Sequence, residues 1–409
     1  MRGRSHCRGG GLFQTTKIGL TQADGQVSCI CLDLDFGRTA AYAVVIMQNM
    51  KPASLFVFMV LVVIPMAAQA TKTDATIAAV TNAASFGNCQ MGSPTTLYVS
   101  NQDGSITTVT QSYSCIISPG ELVSIFGNWL SPLPNGGYAT AGMNIWDGGL
   151  VGTVNQNVAV AFTDTTCDFS GSNTVCTLGG STWLAPIAFL SPTQINCLVP
   201  YETGINEVTY VAIQIHSVAL GVSPPFIAST TDNVCLNCYI PGSTPGIFTD
   251  DGTGTGQGAI LNQDGSVNGT KKPAKPGDII SVFMTGAGWM SNSAGGWGLA
   301  PEASNTIEEQ AVTNPSAAMI DGSITCMFTA CPTLSAIPTP TLAVNAWLDN
   351  KPATVVWAGS APGLVEGVLQ VNLQVPANTV SGNPALFVSV GPTDSETSFY
   401  SQTVTVAVQ

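Results

Sequence analysis

Arginine is missing from the sequence after Arg38. Arg2, Arg4, Arg8 and Arg38 crowd the start, and from residue 71 onward five lysines (Lys72, Lys271, Lys272, Lys275 and Lys351) stand against 21 acidic residues, a net charge of −16. Phosphate binding requires clustered cations, so such a surface argues against a nucleic-acid partner. Histidine is nearly as scarce, with only His216 beyond residue 70. A Ser-His-Asp site would have to use it, yet in Val211-Ala-Ile-Gln-Ile-His216 strand alternation sends Val211, Ile213 and Ile215 inward and turns His216 outward with Gln214. Neither a Gly-x-Ser-x-Gly elbow nor a His-Glu-x-x-His helix occurs. Glycoside hydrolysis needs two carboxylates paired in space, and no pair among the scattered acids is singled out, Glu308-Glu309 included. Asp250-Asp251-Gly252 and two Asn-Gln-Asp-Gly turns offer hard oxygens, but calcium takes about six to eight of them. Turn formation alone accounts for these residues, so no metal and no cofactor is expected.

Long stretches of helical period are absent as well. Gly, Pro, Thr, Ser and Val dominate, a composition of short strands joined by turns. About 340 residues beyond position 70 are more than one compact core usually takes, which makes two domains the expectation.

One apolar run interrupts this pattern. Met50-Lys51-Pro52 precedes Leu55 to Ala68 and then Ala68-Gln69-Ala70, the charged start, apolar middle and small-residue cleavage site of a secretory signal. The run is shorter than the roughly 20 residues of a membrane span. Residues 50–70 are therefore read as a signal peptide, with cleavage leaving Thr71 first and no membrane attachment afterwards. The first residue after the cleavage site is Thr71, not cysteine, so a lipid anchor there is not indicated. Residues 1–49, upstream of an export signal, are expected to carry no fold, and the break in arginine content points to a start at Met47 or Met50.

Nine cysteines remain after residue 70. In an oxidising compartment, pairs separated by turn residues read as hairpin staples. Cys167 with Cys176 and Cys326 with Cys331 are the clearest, and Cys89 with Cys115 would close a longer loop. Cys235-Leu-Asn-Cys238 lacks the second pair that a zinc site needs, and a local disulfide is the simpler reading. Cys197, inside the apolar strand Ile195 to Val199, is left over as a buried thiol.

The chain also repeats itself. Asn101-Gln-Asp-Gly-Ser-Ile106 returns as Asn262-Gln-Asp-Gly-Ser-Val267. Pro119-Gly-Glu-Leu-Val-Ser-Ile-Phe126 returns as Pro276-Gly-Asp-Ile-Ile-Ser-Val-Phe283, and Gln194-Ile-Asn-Cys-Leu-Val-Pro200 as Gln370-Val-Asn-Leu-Gln-Val-Pro376. Three matches in one order mean two copies of one unit. The growing offset places an insertion in the second copy, within Trp297 to Thr341. Asp-Gly marks a hairpin turn, Pro-Gly a turn feeding a strand, and the closing Pro a strand end. The strand after Pro-Gly is apolar on both faces, Leu122 and Phe126 backing Val123 and Ile125. Another segment or the sister unit is therefore expected over its outer face.

Pro-Gly, an alternating strand, Gly127, then Ser191-Pro-Thr-Gln-Ile-Asn and Pro200 resemble the IPT/TIG class of immunoglobulin-like domains. More closely, Val80-Thr-Asn-Ala-Ala-Ser-Phe86, Ile117 to Gly127, Thr244-Pro-Gly-Ile-Phe248, Gly256 to Gly265 and Ala361-Pro-Gly-Leu-Val365 resemble the uncharacterised Solibacter-type C-terminal domain of acidobacterial secreted proteins. The resemblance spans nearly all of the chain beyond residue 70. It implies an all-β fold of two tandem immunoglobulin-like (IPT/TIG-like) β-sandwich units, 71–239 and 240–409, joined near Pro241 to Gly246, and it brings no activity with it. The chain departs from that family in the cysteine-bearing insertion between Phe86 and Ile117 and in the tryptophan-rich segment after Phe283.

That segment holds the expected contact residues. Trp289 and Trp297 flank Ser291 to Gly296, and rings on a sandwich rim can meet sugars or proteins. Trp129 holds a comparable place in the first copy, which favours a structural plug for Trp289. The expected function is an exported, non-catalytic recognition or scaffold protein of the cell surface or extracellular space, with a protein or glycan partner. The runner-up is a carbohydrate-active enzyme or its carbohydrate-binding accessory module.

Overall fold

The computed structural model describes residues 29–36, 39–46, 75–87, 89–133, 137–140, 158–170, 173–203, 210–217, 219–230, 242–291, 322, 324–326, 337–391 and 399–409. The chain divides into Met1–Lys72 and Thr73–Gln409. In the first body β1 (Cys29–Phe36) and β2 (Thr39–Ile46) pair as an antiparallel hairpin. The upstream stretch, read as carrying no fold, thus contains paired strands, while the expected signal at 50–70 lies outside the described residues.

The second body holds only strands and turns among its described residues. Its first part supplies β3 (Thr76–Asn82), β4 (Cys89–Ser100), β5 (Ile106–Cys115), β6 (Leu122–Asn128), β7 (Ala139–Thr140) and β8 (Val158–Asp168), then β9 (Thr174–Leu184), β10 (Ile187–Leu190), β11 (Gln194–Leu198), β12 (Tyr210–Ser217), β13 (Gly221–Val222) and β14 (Phe226–Ser229). A five-stranded sheet, β3-β6-β11-β10-β7, faces a seven-stranded one, β13-β12-β8-β9-β4-β5, in which β14 pairs with β12. Alternation decides what lies between them. Val123 and Ile125 of β6 and Ile195 and Cys197 of β11 meet Val160 and Phe162 of β8 and Val211, Ile213 and Ile215 of β12 in one core. Each large side chain fully buried there contributes about 1.5–3 kcal/mol.

The seven-stranded sheet has a second core on its other face. Leu97 and Val99 of β4, Cys176 and Leu178 of β9, Ala212 of β12 and Ile227 of β14 cluster there. β4 runs parallel to β9 and antiparallel to β5. β5 in turn reaches β14, where Ile116 bridges Ser229 and the Ile117 amide donates to the Ser229 carbonyl at 2.9 Å. The sheet therefore curls into a roll, β5-β4-β9-β8-β12-β14, around this small core.

The second part supplies β15 (Gly246–Ile247), β16 (Ile260–Leu261), β17 (Ile279–Thr285), β18 (Met290–Ser291), β19 (Thr339–Pro340), β20 (Val344–Leu348), β21 (Lys351–Ser360), β22 (Leu369–Gln374), β23 (Ala385–Val390), β24 (Phe399–Tyr400) and β25 (Val404–Thr405). Nine of these join one sheet in the order β15-β17-β22-β21-β20-β23-β24, with β16 on β17 and β25 on β23. β21 pairs with β20 through Lys351–Ala353 and with β22 through Thr354–Ser360, with a register shift between Val355 and Trp357 just after the change of partner. A strand that changes partners at a bulge turns a sheet through a corner. The two arms close on one core, Ile280, Val282 and Met284 of β17 against Leu386, Val388 and Val390 of β23.

The matched sequence blocks share several hydrogen bonds. The Glu121 carboxylate caps the Ser118 amide, and the Asp278 carboxylate caps the Lys275 amide, both at 2.8 Å. Gly120 and Gly277, at φ 68° and 90°, donate to the Val199 and Val375 carbonyls. Asn196 faces Ser124 across β11 and β6, and Asn372 faces Ser281 across β22 and β17; each Asn Oδ1 accepts from that serine and from the glutamine two residues before it. In the Asp-Gly turns Gly104 and Gly265 also take positive φ, as tight hairpins require.

No ladder among the described residues joins the two sheet systems, yet Thr73–Gln409 is one compact unit. Leu198 and Tyr201 enter the core of the second part, and Leu122 packs against it. The expected cover on the outer face of β6 is thus supplied twice, by the second part over Leu122 and by Phe86, whose ring lies 6.3 Å from that of Phe126. At the seam Glu121 is fully buried. Its Oε1 accepts from Asn82 Nδ2 at 2.8 Å, and its Oε2 from the Ser118 amide at 2.8 Å and from Thr244 Oγ1 at 2.6 Å. Asn82 Nδ2 donates to the Thr244 carbonyl as well, and the Leu122 amide donates to Thr285 Oγ1. The expected boundary at 239/240 lies outside the described residues.

Candidate functional site

The roll of the first part has an open mouth, a groove of about 440 Å³. Volumes from about 300 to 1,000 Å³ are usual for small-ligand sites, which favour the mouths of barrels. Leu97, Ile227 and the Cys167–Cys176 disulfide lie at its base, all part of the small core. Three rings border it. Phe169 and Tyr210 sit with centroids 5.3 Å apart at 46°, and Tyr113 comes from β5. Phe169 is 55% exposed, on the loop that the disulfide closes.

Gln111 closes the roll at this mouth. Its Nε2 donates to the Tyr113 carbonyl at 2.6 Å and to the Ile227 carbonyl at 2.7 Å, and its Oε1 accepts from the Ile227 amide at 3.0 Å. A side-chain amide thus stands in for a backbone pair between β5 and β14. With both protons engaged, Gln111 is a structural closure rather than a free contact.

The remaining polar lining is hydroxyl. Ser93, Thr95, Ser112, Ser114 and Ser229 line the groove, and among the described residues no Asp, Glu, His, Lys or Arg does. Gly92 to Pro94 stand opposite a single residue of β5, because the register shifts between Met91 and Thr95. That bulge widens the opening.

Of the two expected contact residues, only Trp289 is among the described residues, and it lies away from the groove. Trp289 is partly buried against the core of the second part, and its Nε1 donates to the Tyr201 carbonyl at 3.2 Å, tying the seam. Trp129, its counterpart by sequence, is instead 46% exposed at φ 56°. Trp297 lies outside the described residues. Cys89–Cys115 and Cys167–Cys176 are bridged, with Cα atoms 4.1 and 4.0 Å apart. Cys326 is disulfide-bonded, and Cys235, Cys238 and Cys331 lie outside the described residues. Cys197 is a buried free thiol whose burial pushes its pKa up, away from thiolate chemistry.

His216 points to solvent on β12, as alternation requires. The carboxylates of Asp103, Asp251 and Asp264 each bind the residue two positions on, Ser105, Thr253 and Ser266, and those bonds hold them below the ordinary carboxylate pKa. Among the described residues no three His, Cys, Asp or Glu side chains converge as a metal site. No helix among the described residues is long and apolar enough to cross a membrane.

No family model matches the chain. No curated protein matches it. Among solved structures the chain is similar to the C-terminal domain of the AgI/II polypeptide BspA of Streptococcus agalactiae, at 8% identity and a TM-score of 0.16, over 77% of this chain and 99% of that one. A TM-score that low transfers neither topology nor binding partner, so the all-β sandwich stands on the ladders and cores above. Disulfides persist in oxidising compartments, and the two bridges described are compatible with an extracellular location.

Proposed function

We propose that the chain is an exported, non-catalytic recognition protein of the cell surface or extracellular space, binding its ligand in the groove at the mouth of the roll. The observation that carries this reading is the lining of that groove. Rings and hydroxyls surround a braced base, and among the described residues lining it there is no acid, imidazole or amine of the kind most acid–base catalysis draws on. A glycoside hydrolase would need two opposed carboxylates there. The strongly acidic composition beyond residue 70, which has no arginine, supports solubility and disfavours polyanionic partners. Export through residues 50–70 belongs to the same proposal, as does kinship with the Solibacter-type family of two immunoglobulin-like units.

The test combines location with turnover. Fractionation of producing cells is expected to find the chain outside the cytoplasm, starting at Thr71 by intact mass, with Cys89, Cys115, Cys167 and Cys176 protected from alkylation until reduced. Incubated with polysaccharide, peptide and ester substrates, the purified protein is expected to release no product. Cytoplasmic chain with freely alkylated cysteines, or turnover of any of these substrates, would overturn the proposal.

A further inference from the structure

We infer that the groove holds one short stretch of an uncharged glycan, with the flat C–H face of a sugar ring on Phe169 and Tyr210 and its hydroxyls toward the serine and threonine side. The inference rests on the recognition reading above and names its ligand class.

Three features of the groove select the ligand. The first is charge. A buried ion needs a partner, the described residues of the lining offer none, and the net charge of −16 beyond residue 70 repels anions. The ligand is therefore neutral. The second is the mixture of surfaces. An acyl chain would satisfy Leu97, Ile227 and the rings but would strip water from Ser93, Thr95, Ser112 and Ser114 without replacing its hydrogen bonds. A sugar ring carries an apolar face and a hydroxyl edge on one body, matching both kinds of lining. The third is the closed sheet. A peptide docks by strand addition only at an open edge. Here β4 is paired with β5 and, over Leu97–Ser100, with β9, the edge left beside the groove is broken by the bulge at Gly92–Pro94, and β5 is joined to β14 through Gln111 and Ile116. A bulged edge carrying Pro94, which has no N–H to donate, is a poor template for an added strand.

Phe169 is the best single probe. It is exposed and belongs to none of the buried cores, so its truncation should leave the fold intact. Base-free stacking of this kind is typically lost on alanine substitution, and each tenfold loss corresponds to about 1.4 kcal/mol.

The experiment is isothermal titration of the oxidised, exported protein with neutral oligosaccharides (cello-, xylo-, malto- and manno-), with an acidic oligogalacturonide, with a neutral tripeptide and with decanol. Saturable binding of at least one neutral oligosaccharide is expected, with the acidic sugar at least tenfold weaker. Phe169→Ala should weaken the neutral sugar at least tenfold at an unchanged melting temperature, while Tyr138→Ala, an exposed ring outside the groove, should leave it unaltered. Neutral-sugar binding indifferent to Phe169→Ala would move the site away from the groove. Preference for the acidic sugar, the peptide or decanol would overturn the ligand class while leaving recognition standing. Binding of none of them overturns the inference, and cleavage of a bound oligosaccharide overturns the proposed function itself.

Discussion

Replacing Glu121 by Gln changes one atom at the seam and is expected to destabilise Thr73–Gln409 measurably. Three donors converge on the Glu121 carboxylate: Asn82 Nδ2 on Oε1, and the Ser118 amide and Thr244 Oγ1 on Oε2. A glutamine has one acceptor oxygen. Turned to serve Ser118 and Thr244, it sets its own NH₂ against the NH₂ of Asn82; turned the other way, it faces the Ser118 amide. Asn82 cannot flip in compensation, because its Oδ1 already accepts from the amides of Ala84 and Ser85 and its Nδ2 also donates to the Thr244 carbonyl. At least one hydrogen bond to a charged acceptor is lost, worth about 1.5–3 kcal/mol, and a buried donor is left facing another. The expected cost is about 2–4 kcal/mol. With an unfolding entropy near 2.1 cal/mol/K per residue, a two-state unit of this size has a slope of about 0.7 kcal/mol per kelvin, so the melting temperature should fall by about 3–6 °C. Urea unfolding would give the free energy, and a double-mutant cycle with Thr244→Val would isolate the bond across the seam, with a coupling of at least about 1 kcal/mol expected between residues in one network. Stability within about 0.5 kcal/mol of the parent, or a coupling near zero, would refute the claim that this carboxylate ties the two sheet systems together.

Gln111→Leu keeps the volume but strands the amide and carbonyl of Ile227; a loss of about 2–4 kcal/mol and faster hydrogen exchange at Ile227 than in the parent are expected. Glu366 gives the opposite result to Glu121. Burial raises its pKa above the ordinary 4.5, although Thr325 and Ser360 hydroxyls donate to it, so the unfolded chain releases this proton first and stability falls as pH climbs from about 4.5 through the folded pKa. Glu366→Gln, whose amide these hydroxyls can serve by rotating, should remove that part of the pH slope and match or exceed the parent at pH 7 in urea titrations. Changing Cys167 and Cys176 both to Ser opens a nine-residue separation, and the chain-entropy model puts the loss near 2.6 kcal/mol, read as a lower urea midpoint that reducing agent does not lower as it does in the parent.

What the sequence made legible follows from how local each signal is. The Asp-Gly and Pro-Gly turns, the strand ends at Pro200 and Pro376 and the alternation around His216 are each decided within a few residues, because φ, missing N–H groups and side-chain period are local physics. Two cysteine pairs were legible for the same reason, each closing a hairpin whose strands pair Cys89 with Cys115 and Cys167 with Cys176 in register. The groove is a different kind of object. Its walls come from β4, β5, the loop at Phe169, β12 and β14, and they meet only because the seven-stranded sheet curls until Gln111 can bond Ile227, 116 residues away. Nothing in the neighbourhood of Gln111 distinguishes a closing amide from a solvated one. Trp289 reads two ways in the sequence, as a contact and as a structural plug, and its indole donating to the Tyr201 carbonyl fits the plug; that partner, 88 residues away, is not visible from the loop's own sequence. Repetition is visible along the chain, but the way two copies are used is not. The first copy spends its glutamate on Asn82 and Thr244 at a seam, and the second spends the matching aspartate on a turn alone. Sequence identity between copies therefore locates the shared scaffold, and function is to be sought where the copies part, in the cysteine-stapled hairpin of β4 and β5 that the first carries and that builds the mouth of the roll.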